Sequence, residues 1–289
     1  MKTLNEKIAD ILTSDKSDRK KSNELIKIGL TKRDIKVLLT IKTAVPGDFD
    51  FSKLTFGVEI ECYNVHRLDL IHAASSNGLD VRSEGYNHVD QHYYKIVSDS
   101  SIIGDHSQEV VSPVLNGTNG LNSLKTLCDA LSAVDAKVNR SCGLHVHIGA
   151  ANMSDEHYCR IVRNYQAIEK AVDSFMASSR RANNSRWCHS LQGIDFTTCT
   201  TKLQIASAMG HDRYFKVNAT AYNRHQTIEF RQHQGTTDYE KISRWVRFLA
   251  KLVEYSYKHD CPTCTTIEEI PFLTSDDKAY FTMRREALS

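Results

Sequence analysis

Three short stretches of the chain carry ionisable side chains at every second position. They are residues 56–61 (Phe-Gly-Val-Glu-Ile-Glu), 142–148 (Cys-Gly-Leu-His-Val-His-Ile) and 227–231 (Thr-Ile-Glu-Phe-Arg). On an extended strand, successive side chains point to opposite faces. Val58 and Ile60, Leu144, Val146 and Ile148, and Ile228 and Phe230 would therefore turn toward a core, while Glu59, Glu61, His145, His147, Glu229 and Arg231 occupy the other face. Such a face can hold metal ions and phosphate.

Glu59 and Glu61 stand two apart on one strand face, about 7 Å at the backbone, so each carboxylate can reach a separate hard cation. A donor set rich in carboxylates and poor in nitrogen suits Mg²⁺ or Mn²⁺ better than Zn²⁺. A fourth strand-like segment, residues 105–113, adds Glu109 as a further ligand, with Asp105 at its start. Each piece alone has a plain structural reading: a solvated Glu-x-Glu face, a surface His-x-His pair, a cross-strand Glu-x-Arg ion pair. Together they point to a site, because ordinary exposed strands do not reserve one face for Glu and His while avoiding Lys and Thr.

These strands need elements to position them. Apolar residues recur at helical spacing over residues 122–134 (Leu124, Leu127, Cys128, Leu131). Ser154, followed by Asp155 and Glu156, begins a helix whose stripe is Ile161, Tyr165, Ile168, Val172 and Phe175. A third helix is expected from about Tyr239 to Tyr257, with Ile242, Trp245, Leu249 and Leu252 on one side. The apolar stripes must pack on the apolar strand faces, giving a layered α+β protein with one sheet face left open. Residues 183–209 fit no element and read as a long insertion or lid.

Length and composition are those of a soluble globular protein: 289 residues, 40% hydrophobic and 25% charged, with a net charge of +2. No apolar run is long enough to cross a bilayer and the start lacks a secretory pattern, so a cytoplasmic location is expected. The eight cysteines are then read as reduced thiols. Cys62, Cys128, Cys142 and Cys159 sit in apolar patterns, and Cys261/Cys264 form a CxxC without a second pair. Residues 1–43 hold 11 Lys and Arg against 6 Asp and Glu, in a pattern of two short helices with Thr31 placed to cap the second. This segment is read as a helical cap, the alternative being a basic arm that attracts nucleic acid or another partner. Pro46-Gly47 marks a boundary. The expected organisation is a basic helical segment over 1–50, a catalytic domain over 51–260 and a C-terminal extension over 261–289.

The order Phe56-Gly-Val-Glu-Ile-Glu61, Glu109-Val-Val-Ser-Pro113, Gly143-Leu-His-Val-His147, Glu229-Phe-Arg231 resembles the amidoligase family, a branch of the carboxylate-amine ligases that share the glutamine synthetase fold. The resemblance covers about residues 55–235 and implies a largely antiparallel catalytic sheet. It implies two or more Mg²⁺ or Mn²⁺ ions: Glu59, His145 and Glu229 on one, Glu61 and Glu109 on the other, with Asp105 as a further candidate. His147 and Arg231 would by similarity contact the phosphates of ATP, with Arg224, Lys216 and Tyr214 as additional contacts. A turn at Arg224 is an equally good reading.

The implied activity is ATP-dependent amide formation. A carboxylate attacks the γ-phosphorus, and an amine then displaces phosphate from the acyl phosphate. The acid and amine partners could be small molecules, peptides or macromolecules. Because an acyl phosphate hydrolyses in water, a closing lid is expected, and Arg180, Arg181, Asn184 and Arg186 could provide it while gripping an anionic substrate; a solvated helix end is the alternative. Asp99 could bind the incoming amine or take its proton, although Ser-Asp-Ser also reads as a turn. Two other classes remain open. One is an amidohydrolase-type metal hydrolase, for which His189, His211, His225 and His233 would supply ligands. The other is a non-catalytic nucleic-acid-binding protein that uses the basic leading segment.

Overall fold

A computed structural model describes residue 11, residues 18–29, and residues 53–289 except 86 and 88. Within the leading segment, α1 (Asp18–Lys27) is helical and buries Leu25. The second helix expected there, and the Thr31 cap, lie outside the described residues.

The alternating segments form the centre of one sheet. β1 (Thr55–Cys62) pairs antiparallel with β4 (Gln108–Val111) on one side and β6 (Gly143–Gly149) on the other. The sheet continues outward from β4 through β3 (Tyr94–Val97) to β2 (Val81–Ser83), and from β6 through β8 (Thr227–Gln234) to β7 (Val217–Asn218). β5 (Leu115–Asn116) pairs with the start of β1. Among the described strands, the β2–β3 pair is parallel and the other pairs are antiparallel. The result is a mixed α/β architecture on a largely antiparallel open sheet.

Register follows from the side-chain alternation, since slipping one residue would turn every carboxylate into the core. Glu59 lies opposite His145, Glu61 opposite Glu109, and His147 opposite Glu229. The apolar partners Val58, Ile60, Leu144, Val146, Ile148, Ile228 and Phe230 are all buried on the other face.

That buried face is covered by α3 (Gly117–Ala133), α4 (Asp155–Ser174) and α7 (Tyr239–Ser256). α3 begins five residues before the apolar periodicity does, because Gly117 takes a φ of 47° that turns the chain out of β5, and the absent side chain of Gly120 lets Leu115 and Phe56 approach. Ser154 caps α4 by accepting the His157 amide, and Asp238 caps α7 by accepting that of Lys241. Tyr165 of α4 lies against Phe230 with centroids 5.4 Å apart, and Trp245 of α7 stacks on Phe248 at 5.0 Å. Each large side chain buried this way contributes on the order of 1.5–3 kcal/mol.

The tail ends in α8 (Ser275–Ala287), which sets Phe281 on Phe175 at 4.4 Å. Residues 183–209 do not stand off as a flap. Cys188, Leu191 and Phe196 are buried, Glu169 accepts the Leu191 amide, and the segment finishes in α5 (Lys202–Ala208). Among the described residues no helix is long and apolar enough to cross a membrane.

Candidate active site

The open face of the sheet floors a cavity of about 1070 Å³, walled by residues 98–101, 112–114, 180, 187, 213–214 and the short helix α6 (Ala221–His225). Glu59, Glu61, Glu109, His145, His147, Glu229 and Arg231 all line it. Strand pairing brings three sequence-distant segments to one point here: β1 supplies two carboxylates, β6 two imidazoles, and β8 a carboxylate and a guanidinium.

His145 is the hub. Its Nδ1 is 2.9 Å from Glu59 Oε2 and 3.7 Å from Glu229 Oε1, while its Nε2 faces Glu61 Oε1 at 3.5 Å. Two sets of donors follow. Glu59, His145 and Glu229 each offer an atom within 4.8 Å of the others, and so do Glu61, Glu109 and His145. The residues around them fix the orientations. Glu61 Oε2 accepts the Gly143 amide at 2.6 Å, Glu229 Oε2 accepts from Asn218 Nδ2 and Oε1 from Arg231 at 2.5 Å each, and His147 Nδ1 is hydrogen-bonded to Thr227 Oγ1 at 2.8 Å.

The electrostatics are those of a site with too much negative charge for its own cations. Burial would raise Glu59, but its contacts with His145 and His147 hold it well below the ordinary carboxylate range. Burial likewise opposes the Arg231 and His147 charges that keep Glu229 low. Glu109 goes the other way, pushed well up by burial and by the charges of Glu59, Glu61 and Asp99. Four carboxylates, Glu61 and Glu229 buried and Glu59 and Glu109 half-buried, are thus gathered on the cavity floor. Divalent cations would relieve that repulsion, and a set of carboxylates with one shared imidazole suits magnesium or manganese.

Two buried donors at the cavity floor have no hydrogen-bond partner among the described residues. His147 Nε2 lies 3.4 Å from Glu59 Oε1 but out of line for a hydrogen bond, and Arg231 Nε has none. Leaving such donors unpaired is costly.

The other candidate residues divide. Asp99 lines the cavity, and its Oδ1 also accepts the Ser101 amide at 2.7 Å, so the turn and the site share it. Arg224, on α6, is exposed at the cavity wall; Tyr214 lines it, packed edge-on against Trp187 at 4.9 Å; Arg180 reaches it from a buried position. Lys216 does not reach it. It is fully buried, and its ammonium is held by Glu169 Oε1 at 2.7 Å and Asp173 Oδ1 at 2.6 Å, both on α4. Arg186 is outside the lining, drawn over the Trp187 ring at 4.4 Å. Arg181 is tied to the Met176 and Leu288 carbonyls and Asn184 to that of Ser178, while Asp105 is exposed away from the cavity. Of the four histidines a hydrolase would need, only His225 lines the cavity.

Sequence reasoning missed Asn218, Thr227, Trp187 and Arg213. Thr227 was within reach, since it precedes Glu229 by two on the same strand face. Asn218 sits on a two-residue strand with no periodicity to read.

An open antiparallel sheet, helices on one face and a carboxylate–imidazole cleft on the other, defines a mixed α/β protein whose active surface is the sheet itself. Residues 52–253 match the family model described as putative amidoligase enzyme, and the chain belongs to that family. Membership supports an amide-bond-forming ligase. No curated protein matches the sequence.

Proposed function

We propose that the protein is an ATP- and magnesium-dependent carboxylate-amine ligase on a glutamine synthetase-like sheet. The observation that carries this reading is the convergence of Glu59, His145 and Glu229, and of Glu61, Glu109 and His145, on the floor of one cavity. Each set would hold one divalent cation. Bound there, magnesium or manganese supplies Lewis-acid charge to phosphoryl oxygens.

The chain's own groups do the rest. Arg231, anchored through Glu229 Oε1 and lining the cavity, would set its guanidinium charge beside the transferring phosphoryl group. His147, fixed by Thr227, keeps Nε2 3.4 Å from Glu59 Oε1; burial lowers its proton affinity, but the charges of Glu229 and Glu59 win and raise it, favouring a donor. The reacting carboxylate oxygen attacks the γ-phosphorus and ADP leaves. The amine then attacks the acyl carbon, phosphate departs, and Asp99 takes the ammonium proton. The cavity exceeds the ~300–1,000 Å³ typical for one small ligand, leaving room for an acid beside a nucleotide.

The test is to incubate purified protein with Mg-ATP and a fractionated metabolite extract, follow ADP release, and identify a product whose mass equals acid plus amine minus water. Extract-dependent ADP release that persists undiminished in Glu59→Ala would reject the proposed site.

A further inference from the structure

Arg180 is a buried cation with no ion-pair partner among the described residues. Its side chain lies at the end of a short 3-10 turn, Ser178–Arg180, and the residue is only 4% exposed. Its one side-chain hydrogen bond runs from Nη2 to the Cys142 carbonyl at 2.7 Å, and among the described residues no carboxylate lies within ion-pair distance. The buried cation Lys216 has two carboxylate partners, and Arg231 has Glu229. Holding a guanidinium out of water without an anion is costly, and the remainder of its donor fork faces the cavity.

The space it faces is specific. Gly143 begins β6 on the same face as His145, and its missing side chain lets the His145 ring and the Arg180 guanidinium close onto the strand. A Cβ built there would stand 2.9 Å from His145 Nε2, 3.2 Å from Arg180 Nη2 and 3.4 Å from Arg180 Nη1. The Gly143 amide holds Glu61, one of the second set of donors. The Arg180 fork and the Glu61–Glu109–His145 set therefore border one small volume at a corner of the cavity.

We infer that this volume is an oxyanion seat, in which Arg180 receives two oxygens of a carboxylate or phosphoryl group beside the Glu61–Glu109 cluster. The inference rests on the ligase reading for its meaning but not for its test. A planar fork matches either anion in bidentate fashion. In the ligase, the seat would hold either the acid substrate's carboxylate or the phosphoryl group in transfer.

Full-length wild type, Arg180→Gln and Gly143→Ala are titrated in magnesium chloride with inorganic phosphate, with acetate, and separately with ADP, using calorimetry and thermal shift. Wild type should bind at least one of the two small anions. Arg180→Gln should weaken that binding about 10- to 100-fold, as expected for losing a charge-assisted pair. Gly143→Ala should weaken it with the charge retained, because the methyl displaces the Arg180 guanidinium; its nearest neighbours are the far ends of side chains, so it also serves if Arg180→Gln does not fold. Binding of phosphate alone assigns the seat to the phosphoryl group, acetate alone to the substrate carboxylate, and both to a shared seat. Wild type that binds neither anion, or variants that bind as tightly as wild type, overturn the inference. Wild type that fails to bind Mg-ADP counts against the ligase reading, while the anion titrations still decide on Arg180.

Discussion

Lys216 gives the sharpest stability test, because its chemistry alone would suit a phosphate contact and its surroundings do not. The side chain is fully buried, with its ammonium between Glu169, which is 2% exposed, and Asp173, which is 19% exposed. Both carboxylates hold other elements as well: Glu169 accepts from Ser190 and Leu191, and Asp173 from Gln232 and Ala182. Lys216→Met keeps most of the apolar volume and removes the charge, leaving a buried carboxylate uncompensated. Breaking one partner of such a group costs about 3–5 kcal/mol. For a chain of this length that corresponds to about 5–8 °C in Tm. Adding Glu169→Gln to Lys216→Met removes the more buried orphan charge, and should recover part of the loss, since the Ser190 hydroxyl can turn to accept. The assay is urea denaturation followed by circular dichroism, with ADP affinity measured on the folded fraction. If Lys216→Met costs less than about 1 kcal/mol while ADP affinity collapses, the buried-network account is wrong and Lys216 acts in the cavity.

Three further outcomes are expected. Glu59→Ala or Glu229→Ala should abolish ADP formation and weaken Mg-nucleotide binding, read by turnover and calorimetry. Arg231→Ala should mainly lower kcat, by roughly 100-fold or more, with a smaller change in nucleotide affinity. His233 should make the protein acid-sensitive. Burial pushes its pKa from 6.5 down to about 3, so between those values the unfolded chain binds a proton that the native state refuses, and stability falls as pH falls through that window. From pH 7 to pH 5 the loss is about 2 kcal/mol, and His233→Leu should remove it; equal pH dependence in both proteins by urea denaturation would refute this.

The faces of β1 and β6 were legible because alternation is local: whether Glu59 and Ile60 part company depends on the strand alone, and the register that sets Glu59 beside His145 follows from burying Val58 against Val146. The helix cap at Ser154 is local in the same way. Lys216 was not legible, since nothing near it in sequence announces that Glu169 and Asp173, on α4 and 47 and 43 residues earlier in the chain, will close on it. His233 is the most instructive failure. By alternation it belongs with Glu229 and Arg231 on the open face, where it would be the extra imidazole that a metal hydrolase needs. The pairing of β6 with β8 instead shifts register between Leu144 and Val146, whose partners are His233 and Phe230. β8 therefore carries one more residue than β6 over this stretch, a bulge that leaves Arg231 over the cavity and turns Gln232 inward to Tyr165. His233 then lies opposite Leu144 on the core face, with its ring 5.7 Å from Trp245. One inserted residue thus keeps the guanidinium in the site and takes the imidazole out of it. The same strand that could have completed a nitrogen-rich zinc site completes a carboxylate-rich one with an arginine beside it.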